Sequence, residues 1–256
     1  MSERDWRAEF ERTYAPPESA VRQAIFREIL GEEYPDLDQS SLVTVSELER
    51  YARELGVGEG DLLVDAACGR GGPGLRVAAR TGARLIGIDI AASAVEAARA
   101  RAAAAGRSEH ADFRVASFEA TGLEDQAAEA VMSEDALIFS EDKPAALREL
   151  HRIIRPHGRF VFTSWDYRGQ VPWRPLQLED HRPLLESTGF AVLAYDETDD
   201  WQARIVEWNT RMMAAADELA AELDLDPAEI RTGLEQQFEG MQTMTRRVFV
   251  VAERRA

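Results

Sequence analysis

The sequence predicts an α/β fold: a mostly parallel sheet covered by helices, with further helices before the sheet and inserted late in it. Three observations predict this. Short apolar runs alternate with helical stretches from residue 62 to residue 195. The first two runs end in acids, Asp65 and Asp89. A glycine cluster (Gly69, Gly71, Gly72, Gly74) follows the first run. A strand-to-helix turn there would turn backbone N–H groups and a positive dipole end towards a ligand.

The chain has 256 residues, 45% of them hydrophobic, enough for one large α/β domain with a helical elaboration. Its net charge is −17, from 47 acids against 30 bases. That balance argues against bulk nucleic-acid binding, which needs lysine and arginine to neutralise phosphates. Cys68 is the single cysteine, so neither an intrachain disulfide nor a cysteine-based metal cluster is expected, as suits a reducing compartment. The charged start, MSERDWRAEFERTY, lacks the apolar core of a signal peptide. No stretch approaches the ~20 apolar residues of a membrane span. The expectation is a cytoplasmic protein without metal, nucleic acid or membrane as partners.

The elements follow in order. Trp6, Phe10 and Tyr14 are four apart; Val21, Ile25, Phe26 and Ile29 make a second stripe; Val45, Leu48, Tyr51, Ala52 and Leu55 make a third. These spacings predict two or three amphipathic helices, with a loop at residues 34–41 before the last. Residues 62–64 are the first strand, and residues 75–80 its following helix. Residues 85–89 are the second strand, and Ser93 is expected to cap an alanine-rich helix over 94–105. Strands follow at 113–116, from 130, at 159–165 and at 190–195, with helices at 143–154 and 178–187 between them. Residues 199–240 read as helices, with Asp226-Pro227 a start signal. Residues 247–252 (RVFVVA) form a seventh strand.

Asp89 stands about 20 residues after Gly69, where a dinucleotide-type fold places a carboxylate for ribose hydroxyls. One carboxylate accepts from two adjacent hydroxyls at once. Gly69, Gly71 and Gly74 also match the spacing of a nicotinamide fingerprint. However, Asp65 and the spacer Ala66-Ala67-Cys68 precede the first glycine, and a carboxylate in the loop would repel a pyrophosphate. It is tolerable beside an ammonium or a sulfonium.

VDAACGRGGPG followed by LIGIDIAASAVEAARARA resembles the first two motifs of class I S-adenosylmethionine-dependent methyltransferases, with Ala67 standing where glycine is usual. AVMSEDALIFSEDKPAALRELHRIIRPHGRFVFTSWD resembles the family's fourth strand, helix and fifth strand. The resemblance covers roughly residues 50 to 195 and is nearest to the small-molecule branch of secondary metabolism. It implies a Rossmann-like, seven-stranded sheet with the last strand antiparallel. It divides the chain into an N-terminal helical lid (1–55), a cofactor-binding core (56–198), an inserted helical cap (199–242) and a last core strand (243–256).

The resemblance also implies roles. Asp65, Ala67, Gly69 and Gly71 would line the methionine end of S-adenosylmethionine, Asp89 would hold the ribose, and Ile90 would pack on the adenine. Ser117 and Phe118 would meet the adenine, where the family often has an acid. Ser133 would close the cofactor site at the end of the fourth strand. Glu134 or Asp135 would face the cofactor amine or the substrate. Tyr14, Asp135, Trp165 and Tyr167 are candidate substrate contacts. Among His110, His151, His157 and His181, His181 is the candidate general base. Trp6, Trp201, Trp208, Met212 and Met213 are candidate liners, with ordinary core as the competing reading.

The expected reaction is methyl transfer to a small-molecule acceptor, by default to an oxygen of a natural-product intermediate. The sulfonium makes the methyl electrophilic, so the protein mainly aligns, deprotonates and excludes water. The alternative is a sulfonium-binding isomerase or cyclase without transfer. Expected partners are the acceptor and, as an option, a second copy in a homodimer.

Overall fold

The computed structural model describes residues 5–31 and 37–256. Residues 1–4 of the charged start, and residues 34–36 of the expected 34–41 loop, lie outside the described residues. The chain builds one seven-stranded sheet. Its strands are β1 (Leu62–Ala66), β2 (Arg84–Asp89), β3 (Ala111–Val115), β4 (Ala128–Glu134), β5 (Ile154–Tyr167), β6 (Phe190–Glu197) and β7 (Met244–Arg254). Their spatial order is β3-β2-β1-β4-β5-β7-β6. The pairs from β3 to β5 are parallel, and β7 runs antiparallel between β5 and β6. This is the Rossmann-like sheet with an antiparallel last strand that the sequence implies.

β1 lies between β2 and β4, so the strand order reverses there. A crevice opens beyond the carboxyl ends of strands at such a point. Every residue of β1 is buried, as expected of a strand with both faces covered. Side chains alternate along it: Leu63 joins one apolar cluster and Val64 the other. Leu63 packs in the cluster of α3 (Val45–Glu54), α4 (Gly72–Thr81) and α5 (Ala92–Ala104). On the opposite face, α6 (Lys143–Ile153) supplies Ala146, Leu147 and Leu150, and α7 (Arg182–Ser187) supplies Leu185.

Three helix starts differ from the sequence reading. α4 begins at Gly72, three residues before the expected start. α7 begins at Arg182 and not near residue 178, because Pro183 lacks a backbone donor and fits only the first turn. α5 begins at Ala92, so Ser93 lies within it and its side chain is not the cap. The cap comes from far away in sequence. Glu11, on α1 (Trp6–Tyr14), accepts from the backbone N–H groups of Ala92 and Ser93. A carboxylate there meets the positive end of the α5 dipole.

The N-terminal segment is tied down at a second point. Arg70, 7% exposed, donates to Asp38 Oδ2 at 2.9 Å, to the Tyr14 carbonyl at 3.0 Å, and to the Pro16 carbonyl. A Cβ on Gly72 would run into the Leu37 carbonyl, so glycine is needed for residues 37–41 to lie against the loop. α2 (Ala20–Leu30) packs on α8 (Trp201–Ala214), with Phe26 and Trp208 rings 4.5 Å apart. Glu222 of α9 (Ala216–Leu223) accepts from Ser19 and Ala20 at the start of α2. α10 (Pro227–Met241) packs on α9 and α8. Among the described residues no helix is long and apolar enough to cross a membrane.

Candidate functional site

A cavity of about 490 Å³ opens at the switch point of the sheet, within the range of small-molecule sites. Its floor is the glycine loop, its sides are the ends of β2 and β4, and its roof is α1 with residues 38–41.

The loop starts at Ala67. Asp65 is therefore a strand residue, not the loop carboxylate expected from the sequence. The β1 register pairs it with Gly87 and Met132. It is 3% exposed and abuts α4 at Gly74, so it lies beneath the cavity and does not line it. Ala67 does line the cavity, at φ +63°. That is the left-handed region, costly for a residue with a Cβ. Gly69 also lines the cavity, directly under the Tyr14 hydroxyl. Gly71 is the N-cap of α4 at φ +77°. A Cβ there would press on Phe113 and Ala98, so its place is in the core beneath the loop and not on the cavity wall.

Asp89 lines the cavity and is 6% exposed. Its Oδ2 accepts from Gly69 N at 2.9 Å and its Oδ1 from Ala91 N at 2.9 Å. Burial raises its proton affinity, and these backbone donors oppose that rise. Each oxygen keeps a second lone pair for a ligand hydroxyl. Ile90, Ser117 and Phe118 line the same side.

On the β4 side, Ser133 Oγ donates to the Ala66 carbonyl at 2.8 Å, which joins the two strand ends and turns the hydroxyl away from the cavity. Glu134 and Asp135 do line it. Glu134 Oε1 is shut off from solvent and has no hydrogen-bond partner. Burial and the neighbouring Asp65 push the Glu134 carboxyl well above the usual range. Burial and Asp89 push Asp65 up to about 7.

Asp135 is paired. Arg247 of β7 grips its two oxygens at 3.0–3.1 Å and donates to Glu47 Oε1 at 2.6 Å. The guanidinium is 1% exposed, the two carboxylates about a tenth. Burial works against its charge, but Asp135 and Glu47 outweigh that and hold its proton more firmly than usual. The sequence contains no signal for this hub, because its members are 112 and 200 residues apart.

The roof is aromatic. Trp6 and Phe10 pack on Phe139 with ring centroids 5.0 and 5.1 Å apart. Tyr14 OH lies 3.2 Å from Ser40 Oγ, and both residues line the cavity. Burial and Asp89 push the Tyr14 phenol up to about 12. Phe10, Ser40 and Phe139 were not singled out from the sequence as site residues. Phe10 belongs to the stripe that carries Trp6 and Tyr14; Ser40 sits in a loop and Phe139 in the single 3-10 turn Leu137–Phe139, both too short to show a periodicity.

Three expected substrate or catalytic residues lie elsewhere. His181 is 2% exposed and outside the cavity lining. Its Nε2 lies 3.1 Å from Ser164 Oγ and its Nδ1 3.2 Å from Asp166 Oδ1. Tyr195 OH and Arg246 also donate to Asp166, at 2.5 and 2.6 Å. The serine–histidine–aspartate order resembles a nucleophile triad, but Ser164 and Asp166 are wholly buried, so the group ties β5 to β6, β7 and α7. Trp165 packs on Trp201 at 5.4 Å. Tyr167 is 1% exposed and accepts from Arg174 at 2.9 Å. Trp201, Trp208 and Met212 are core, and Met213 packs against it.

Residues 64–162 match the family described as "Methyltransferase domain". This segment is a methyltransferase domain. It is similar to 27-O-demethylrifamycin SV methyltransferase of Amycolatopsis mediterranei, 28% identical over 169 residues, 66% of this chain and 61% of that protein. Across the first three curated relatives, the chain spans 34% to 61% of their length. Two solved structures share this fold. One is a putative sarcosine dimethylglycine methyltransferase from Galdieria sulphuraria, with TM-score 0.72 at 19% identity, covering 91% of this chain and 98% of that one. The other is the [4+2]-cyclase SpnF, with TM-score 0.72 at 21% identity, covering 82% and 80%.

Proposed function

We propose that this chain transfers the methyl group of S-adenosylmethionine to a small-molecule acceptor, and that the atom methylated is an oxygen. The observation that carries the reading is the convergence of Asp89, the glycine loop and the unpartnered Glu134 oxygen on one cavity. These residues fit the cofactor. Asp89 offers two carboxylate lone pairs to the ribose, Ile90, Ser117 and Phe118 the adenine surface, and Ala67 and Gly69 a wall for the methionine end. The Tyr14 and Ser40 hydroxyls above Gly69 are donors for its carboxylate, a role differing from the substrate contact expected for Tyr14. Asp65 and Glu134 supply negative potential for its ammonium.

When bound, the cofactor supplies a methyl already activated by the sulfonium. The chain's own residues orient the acceptor and keep water out. The rifamycin relative's name, an O-methyl acceptor, supports oxygen. A homodimer remains an expectation from the sequence.

Titration calorimetry with S-adenosylhomocysteine tests cofactor binding; the reading expects saturable binding that Asp89→Ala weakens. Release of S-adenosylhomocysteine in the presence of an acceptor separates methyl transfer from the cyclase-type alternative, to which the SpnF likeness lends only a fold. Binding of NADH without S-adenosylhomocysteine would overturn both.

A further inference from the structure

Within the proposed methyltransferase reading, on which this inference rests, the charges around the cavity do not balance. Four carboxylates meet at the β4 end: Asp65, Glu134, Asp135 and Glu47. Among the described residues, Arg247 is the cation held directly among them, bound to Asp135 and Glu47. Arg204 reaches Glu47 only at 3.9 Å. Among the described residues, Asp65 and Glu134 form no ion pair with a cation, and each buried carboxylate without one carries a large desolvation cost. S-adenosylmethionine brings a sulfonium and an ammonium against one carboxylate, a single net positive charge. Of the two carboxylates without a cation, one keeps its buried negative charge.

The leftover charge has a direction. Glu134 lines the cavity, and its Oε1 is buried with no partner. One part of the roof is apolar and aromatic, built from Trp6, Phe10 and Phe139. An anionic acceptor finds little to hold it. Of the two arginines that line the cavity, Arg70 is committed to Asp38 and to two backbone carbonyls, and Arg7 stands exposed at the rim.

We propose that the acceptor is a small apolar or aromatic molecule carrying a protonated amine, with its ammonium seated on Glu134 and its body against Trp6, Phe10 and Phe139. The ammonium donates to the Glu134 carboxylate, and aromatic faces add cation–π attraction to the same group. The methylated atom lies elsewhere on the acceptor, so the amine is the anchor that selects it.

Titration calorimetry on the full chain saturated with S-adenosylhomocysteine tests this, with 2-phenylethylamine, 2-phenylethanol and phenylacetate as matched probes. The amine is expected to bind at least about tenfold more tightly than the alcohol or the acid. Glu134→Gln is expected to erase that preference when S-adenosylhomocysteine is raised to resaturate the variant, whose cofactor affinity falls with the lost charge. Equal binding of the three probes by the wild-type chain, tighter binding of the acid, or no binding of the amine overturns the proposal without recourse to a variant. So does a folded Glu134→Gln that keeps the preference, or one that loses S-adenosylhomocysteine and not the amine. Failure of the wild-type chain to bind S-adenosylhomocysteine overturns the methyltransferase reading itself, and the proposal with it.

Discussion

Asp89 holds Gly69: the carboxylate at the end of β2 accepts the loop amide at 2.9 Å. The acid expected to meet the ribose is thus also the clamp on the loop that carries the methionine end. Asp89→Ala removes both functions at once. Cofactor affinity should fall by about 1–3 kcal/mol from lost ribose hydrogen bonds, with a further loss from the loosened loop. Calorimetry with S-adenosylhomocysteine measures it, and an unchanged Kd removes Asp89 from the site.

Ala67 sits at φ +63°. Relief of that conformation by Ala67→Gly is worth about 1–2 kcal/mol, against which the more flexible unfolded chain costs about 0.4–1. The variant should be more stable by about 0.5–1 kcal/mol in urea unfolding. A destabilised variant would mean that the methyl group earns its place by contact and not at the expense of the backbone.

Removing Arg247 strands two carboxylates. Arg247→Met should lose about 3–5 kcal/mol of stability, because Asp135 stays buried without a cation and Glu47 keeps only Arg204, at 3.9 Å. The triple variant with Asp135→Asn and Glu47→Gln should regain much of that loss. Denaturant midpoints decide, and a single variant as stable as the parent would show that water reaches the hub.

Asp65, pushed up to about 7 from an ordinary 3.8, gives a pH dependence with a definite sign. The folded protein keeps a proton that the unfolded chain loses, so ligand-free stability falls as pH rises from about 4 to about 7. Glu134 shifts in the same direction. A cationic cofactor needs these groups ionised, so S-adenosylmethionine should bind more tightly as pH rises towards 7, by up to about tenfold per pH unit for each proton released. Calorimetry at pH 6 in two buffers of different ionisation enthalpy counts those protons; none released means both acids are already ionised.

His181 should behave as structure. His181→Ala is expected to cost about 2–3 kcal/mol through the cavity and the hydrogen bonds lost beside Ser164 and Asp166. S-adenosylhomocysteine affinity should stay within about twofold. Intact stability with lost turnover would return His181 to the chemistry.

The parallel half of the sheet was legible because each strand there is a short apolar run followed by a turn signal, and Asp89 was legible from its spacing to Gly69. Asp65 was read as a loop residue because an acid in a buried strand breaks the apolar pattern that defines strands. His181 was favoured because it follows the fifth strand, where the family forms a substrate wall, and sequence carries no measure of distance from a cavity. The α5 cap was misassigned to Ser93 because the true partner, Glu11, is on another helix. Arg247 stayed invisible for the same reason: a pairing across the sheet leaves no local periodicity.

The position of β7 has a kinetic consequence. It is the last strand of the described chain to be synthesised, yet it slots between β5 and β6. The charge at Asp135 is therefore unmet until that closing strand inserts, at a sequence separation of 112 residues. Such distant pairings form late and slowly. An emerging chain would complete its loop, its first strands and much of its apolar core while Asp135 still lacks its cation, so the last step of folding is also the step that brings Arg247 to the edge of the site.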